Sequence, residues 1–116
     1  MVKEIVVLKT RRAFWQYLKS HPFIIVKASS KTCGPCARIK PFFMNLFEQM
    51  PDQVALVVLD IVEGRDLATF LKVRAVPCVM NFIQGEPQDS LVGANVEKLV
   101  AFFNKTLQRV NDILYK

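Results

Sequence analysis

The residues with the most chemistry in this chain lie in Lys31-Thr32-Cys33-Gly34-Pro35-Cys36-Ala37-Arg38, where two of the three cysteines stand three positions apart. Such a pair can be a covalent staple, half of a metal clamp, or a redox centre. A staple is not needed for folding, because 116 residues, 52% of them hydrophobic and nine of them Phe, are enough to bury a core without cross-links. An odd cysteine count also departs from secreted disulfide frameworks, which pair an even number. A structural zinc needs two further ligands, and the chain offers only Cys78 and His21, at no finger-like spacing. No metal is expected. Redox use has a direct physical basis if the pair opens a helix, since the free N–H groups and dipole of the first turn stabilise a thiolate. Cys33 is then the nucleophile that attacks a substrate disulfide, and Cys36, one turn on, attacks Cys33 to release the reduced substrate. Pro35 suits the first helical position, and Gly34 leaves room for a partner's backbone.

The elements around the pair put it at such a junction. Phe23 to Val26 is a continuous β-branched and aromatic run, the pattern of a central strand covered on both faces. After the motif, Cys36, Ile39, Phe43, Leu46, Phe47 and Met50 recur at helical spacing, with Pro41 inside the helix as a kink and Met50-Pro51-Asp52 as its end. Before it, Glu4 to Leu8 reads as a strand, and Thr10 caps a helix through Phe14, Trp15 and Leu18 that stops at His21-Pro22, with Trp15 assigned to the core. Val54 to Leu59 is a second continuous strand. Asp66 to Lys72 is a short helix with Leu67, Phe70 and Leu71 on one side. Val79 to Ile83 is a strand, Gln84 to Pro87 a turn, and Ser90 to Val92 a last strand. Asn95 then caps a closing helix with Val96, Leu99, Val100, Phe103, Leu107, Val110 and Leu114 as its stripe. The order predicts an α/β fold in a single domain, residues 1–116, with a mixed central sheet and helices on both faces.

Cys33-Gly34-Pro35-Cys36 resembles the active site of the thioredoxin family, and the likeness extends along nearly the whole chain. Ile39-Lys40-Pro41-Phe42-Phe43 is similar to the helix that follows that site in animal-type members. Val76-Pro77 resembles the family's cis-proline, Gly85 its hairpin glycine, and Gly93-Ala94-Asn95 its final turn. The resemblance implies the thioredoxin fold and dithiol-disulfide exchange on protein disulfides. It also implies electrons supplied from NADPH through a thioredoxin reductase, with no cofactor bound to the chain itself. It places Thr32, Val76, Pro77 and Gly93 along a substrate groove, where backbone near Val76 pairs with an extended segment of the partner.

Three positions depart from the family. Thr32 stands where a tryptophan is usual, removing an aromatic platform beside the dithiol. Cys78 follows the cis-proline where threonine is common; its two readings are a small buried hydrophobe and an extra regulatory or resolving thiol. Lys27 stands at the family's buried aspartate. It can serve as a neutral base if burial lowers its pKa far enough, or, as a cation, stabilise thiolate and make the couple more oxidising. It can also lie outside the chemistry, by snorkelling to the edge or pairing with a carboxylate such as Asp60. The altered surroundings keep a second function in view, a thioredoxin-fold binding module that grips partners beside Pro77 with little turnover.

The net charge of +6, from 16 basic and 10 acidic side chains, is scattered and accompanies no nucleic-acid-reading motif. The opening residues, 1–10, carry no apolar leader core, and no apolar run approaches a membrane span, so the expectation is a cytoplasmic protein without membrane or nucleic-acid partners. Asp60 and Glu63 read as surface carboxylates and His21 as a loop residue. The closing helix extends past the family's usual end, which reads as added turns on a monomer, with a dimer contact as the alternative.

Overall fold

The computed structural model describes residues 3–116; Met1 and Val2, part of the segment read for a leader, lie outside the described residues. In chain order the elements are β1 (Ile5–Val7), α1 (Arg11–Ser20), β2 (Phe23–Ser29), α2 (Gly34–Glu48), β3 (Val54–Asp60), α3 (Arg65–Phe70), β4 (Cys78–Ile83), β5 (Glu86–Val92) and α4 (Val96–Leu114). The sheet order is β1-β3-β2-β4-β5. β2 lies at its centre, parallel to β3 from Phe23 opposite Val54 to Ser29 opposite Asp60, and antiparallel to β4 with Ala28 opposite Cys78. This is the mixed α/β sheet expected.

The continuous apolar strands are explained by burial on both faces. Phe23 and Ile25 of β2 join Ile39, Phe43 and Phe47 of α2 and Leu99, Phe102 and Phe103 of α4 in one core. The alternate residues Ile24, Val26 and Ala28 join Phe14 of α1 and Leu67 and Ala68 of α3 in the other. By the period of two along a strand, Lys27 belongs to the α2 and α4 side. Cys78 packs on the opposite side, in the α1 and α3 core.

Several predicted boundaries shift. β1 is shorter than Glu4 to Leu8, yet its flanks still pair, with the Leu56 N–H donating to the Glu4 carbonyl and the Leu8 N–H to that of Val58. Trp15 is not core: it is 56% exposed, because α1 buries the face of Phe14 with Tyr17 and Leu18, and Trp15 lies one residue, about 100°, off that stripe. Its ring instead carries the Lys19 ammonium, 3.4 Å from the centroid. Phe70 likewise points outward, since the short α3 buries Leu67 and Ala68. The hairpin turn is only Gln84-Gly85, both with positive φ (52° and 84°), the signature of a two-residue turn whose twist matches the strands. Glu86 and Pro87 are already in β5, an edge strand where a missing N–H is tolerated.

A polar network ties α4 to the hairpin. The Asn81 amide donates to Asp89 (2.9 Å) and to the Thr106 hydroxyl (2.8 Å), and its carbonyl accepts from the Asp89 N–H. The Arg109 guanidinium donates twice to the Asp89 carboxylate, at 2.6 and 3.1 Å. Val110 is fully buried, and Ile113 and Leu114 pack partly against the core, so the added turns of α4 are seated. Asp89→Ala is expected to cost about 2–4 kcal/mol in urea unfolding, because it leaves a buried amide and a guanidinium without their acceptor. Arg109, followed by the Asn81 hydrogen bond, holds the Asp89 carboxyl below its ordinary range. A depressed folded pKa gives stability that is present above the unfolded value, near 3.9, and lost as pH falls through the folded one. The difference between wild type and Asp89→Ala is therefore expected to hold at pH 6 and shrink below about pH 4.

Candidate functional site

β2 ends at Ser29 and the chain turns through Lys31 and Thr32 into α2, so the cysteine pair sits at a strand-to-helix junction. Cys33 is the N-cap residue of α2, with Pro35 in the first turn. Its sulfur accepts the Cys36 N–H at 3.1 Å, and its carbonyl accepts the Ala37 N–H. The sulfur thus takes the place of the hydroxyl or carboxyl oxygen that usually satisfies a first-turn donor. Cys33 and Cys36 are joined as a disulfide with Cα atoms 5.2 Å apart. The two are unequal in access: Cys36 is buried, at 4% exposure, while Cys33 is partly exposed and flanked by exposed Thr32 and Gly34.

Both cysteines line an open cavity of about 400 Å³ whose wall includes Lys27, Ser29, Lys31, Lys40, Met44 and Asp60. Cys36, Lys40 and Met44 follow one another at four-residue steps along α2, a stripe legible from helical spacing. Lys40 and Met44 are nonetheless among the lining residues that sequence reasoning passed over. Lys27 is only 7% exposed, and its ammonium lies 5.5 Å from the centroid of the Phe43 ring. Burial and the nearby Lys40 charge both push its pKa down. Of the alternatives for Lys27, the pairing with Asp60 does not form. The Asp60 carboxylate instead accepts the N–H groups of Val62 and Glu63 at 2.8 and 3.0 Å, which keep its pKa low. Lys31 is committed to Glu63.

The other predicted groove residues, Thr32, Val76, Pro77 and Gly93, do not line that cavity. The Val76-Pro77 peptide bond is cis, and the Gly93 N–H, at a residue with φ of 107°, donates to the Pro77 carbonyl at 2.9 Å. Since Cys78 pairs with Ala28 on one side and Val92 on the other, Pro77 and Gly93 fall at the same end of the sheet as the dithiol loop. His21 lies elsewhere, stacked on Tyr17 and bonded to Glu4. Among the described residues no cluster of three or more His, Cys, Asp or Glu is arranged to hold a metal ion.

Cys78 is buried and free, and burial pushes its thiol pKa up. A buried thiol held in its protonated form is unreactive. In the native protein at pH 7.5, with the disulfide intact, iodoacetamide is expected to leave Cys78 unlabelled over a time that fully labels it in urea, as mass spectrometry would show.

The family model for thioredoxin matches residues 5–105. The chain belongs to the thioredoxin family. A thioredoxin from Oryctolagus cuniculus is 35% identical over 109 residues, covering 92% of this chain and all of that one. A thioredoxin from Equus caballus is 38% identical over 103 residues, covering 87% and 94%. The fold follows the same relation: the crystal structure of Malassezia sympodialis thioredoxin superposes with a TM-score of 0.77 at 26% identity, covering 91% of this chain and 96% of that one. The sheet and helices are the thioredoxin fold, and with its close Cys33–Cys36 pair the chain is a dithiol-disulfide oxidoreductase. Among the described residues no helix is long and apolar enough to cross a membrane.

Proposed function

We propose that the chain reduces or exchanges disulfides of protein substrates with Cys33 as the attacking thiol and Cys36 as the resolving thiol. The observation that carries the reading is the inequality of the two sulfurs at the start of α2: Cys33 is open to a partner and accepts a first-turn N–H, whereas Cys36 is buried behind it. The Cys33 thiolate attacks one sulfur of the substrate disulfide, whose other sulfur leaves as a thiolate and takes up a proton. Cys36, giving up its proton, then attacks Cys33, the mixed disulfide breaks, and the second substrate sulfur leaves. Two electrons and two protons pass from the protein dithiol to the substrate, and the Cys33–Cys36 bond forms.

Thr32, Val76, Pro77 and Gly93 serve as the groove along which an extended substrate segment lies, the backbone of Val76 acting as an edge for strand addition. Electrons return from NADPH through a thioredoxin reductase, and the protein works as a cytoplasmic monomer. The family relation supports this reading. Insulin reduction tests the reading: turbidity from precipitating B chain should appear first with dithiothreitol and then with reductase and NADPH. No rate above that of a Cys33→Ser protein overturns it. Turnover with dithiothreitol alone removes the reductase and leaves the exchange activity standing.

A further inference from the structure

We propose that Lys27 is a buried cation that favours the reduced dithiol, so that this protein gives up its disulfide to substrate dithiols more readily than a reductant would. The inference rests on the exchange activity proposed above and concerns its preferred direction.

Lys27 lies in the middle of the sheet, opposite Val58 of β3 and Val79 of β4, with its stem covered and its ammonium near the Phe43 ring. It shares the cavity with both cysteines, and among the described residues it forms no ion pair with a carboxylate. The charged groups facing it there are Lys31, Lys40 and Asp60. Lys31 is bound to Glu63 and Asp60 to backbone N–H groups, while Lys40 adds to the positive charge and, with burial, pushes the Lys27 pKa down. A buried charge without a counter-ion is unfavourable, and the one carboxylate of this cavity, Asp60, is held by the turn after β3 and does not pair with Lys27. A disulfide carries no charge. Reduction creates the missing anion in the same cavity.

The electrons balance as follows. A substrate thiolate attacks Cys33, the Cys33–Cys36 bond breaks, and Cys36 leaves as a thiolate. A second substrate thiolate attacks the substrate sulfur of the mixed disulfide, and Cys33 leaves. The substrate has lost two electrons and gained a disulfide; the protein has gained both electrons. The first leaving group is the buried sulfur, where an attractive charge counts most because little water screens it, and a stabilised thiolate leaves faster.

The test equilibrates wild type, Lys27→Met and Lys27→Arg with defined mixtures of reduced and oxidised glutathione, followed by maleimide trapping and mass spectrometry. Methionine keeps the length of the stem without its charge, and arginine keeps a charge that cannot act as a base. The constant for forming the protein disulfide is expected to rise about tenfold in Lys27→Met, equivalent to about 30 mV toward a more reducing couple, and to stay near wild type in Lys27→Arg. Thiolate absorbance at 240 nm of the reduced proteins should show the lower-titrating thiol of wild type moved to higher pH in Lys27→Met. Equal constants and equal titrations in wild type and Lys27→Met overturn the inference, as does a Lys27→Arg protein that matches Lys27→Met. A wild type that never equilibrates with glutathione overturns the exchange activity as well, whereas equilibration with identical constants overturns only the role of Lys27.

Discussion

Cys36→Ser is expected to lower insulin reduction by about 10³-fold or more and to leave the protein covalently bound to its substrates through Cys33. Cys33→Ser should be equally inactive and capture nothing. The size follows from what the second cysteine supplies: a thiol held one helical turn from the mixed disulfide, with Cα atoms 5.2 Å apart, acts at an effective concentration far above any thiol in solution. The asymmetry between the two variants follows from access. Cys33 stands partly exposed at the N-cap, whereas Cys36, one turn on, is buried. Cys33→Ser should not unfold the protein, since serine is a preferred N-cap residue and replaces the sulfur that accepts the Cys36 N–H. Non-reducing gels of each variant mixed with reduced-then-oxidised insulin show the adduct directly. An adduct formed by Cys33→Ser and not by Cys36→Ser would reverse the assignment of the two thiols.

The site and its scaffold were legible to different depths. The runs Phe23 to Val26 and Val54 to Leu59 announce their strands because residues buried on both faces are apolar, though β2 runs on to Ser29 and β3 to Asp60, and the cysteine pair is bounded by a strand and a helical stripe. The junction therefore follows from local pattern, and so does the Asn95 cap, whose side chain accepts the Lys98 N–H at 2.9 Å. What local pattern cannot deliver is the third dimension. Asn81, Asp89, Thr106 and Arg109 come from β4, β5 and α4, and nothing in their spacing says that they meet. Trp15 looked like core because it is large and apolar, but a helix of ten residues on one face of a sheet buries only one stripe. Asp60 was a reasonable partner for Lys27 by charge. The turn after β3 claims its carboxylate first, through N–H groups two and three residues on.

Phe43→Ala is expected to be the most damaging core substitution near the site, costing about 3–5 kcal/mol in urea unfolding with an unchanged m-value. Phe43 is fully buried. It meets Phe103 of α4 edge-on, with ring centroids 5.2 Å apart at 70°, so its loss removes both the transfer energy of a ring and the contact that joins α2 to α4. Its other face is what separates it from an ordinary core residue, because the Lys27 ammonium lies 5.5 Å from its centroid. Phe103→Ala provides the control: that side chain is also buried and belongs to the same core, and its removal should cost stability of the same order, about 3–5 kcal/mol. Only the Phe43 cavity opens beside Lys27, admits water there and relieves the burial that pushes its pKa down. Better screening by that water weakens the pull of Lys27 on a thiolate, so the thiol titration at 240 nm should move upward in Phe43→Ala and stay in place in Phe103→Ala. Equal movement in both would mean that the dithiol senses the looseness of the core as a whole, and that Phe43 holds α2 without shaping the charge beneath it.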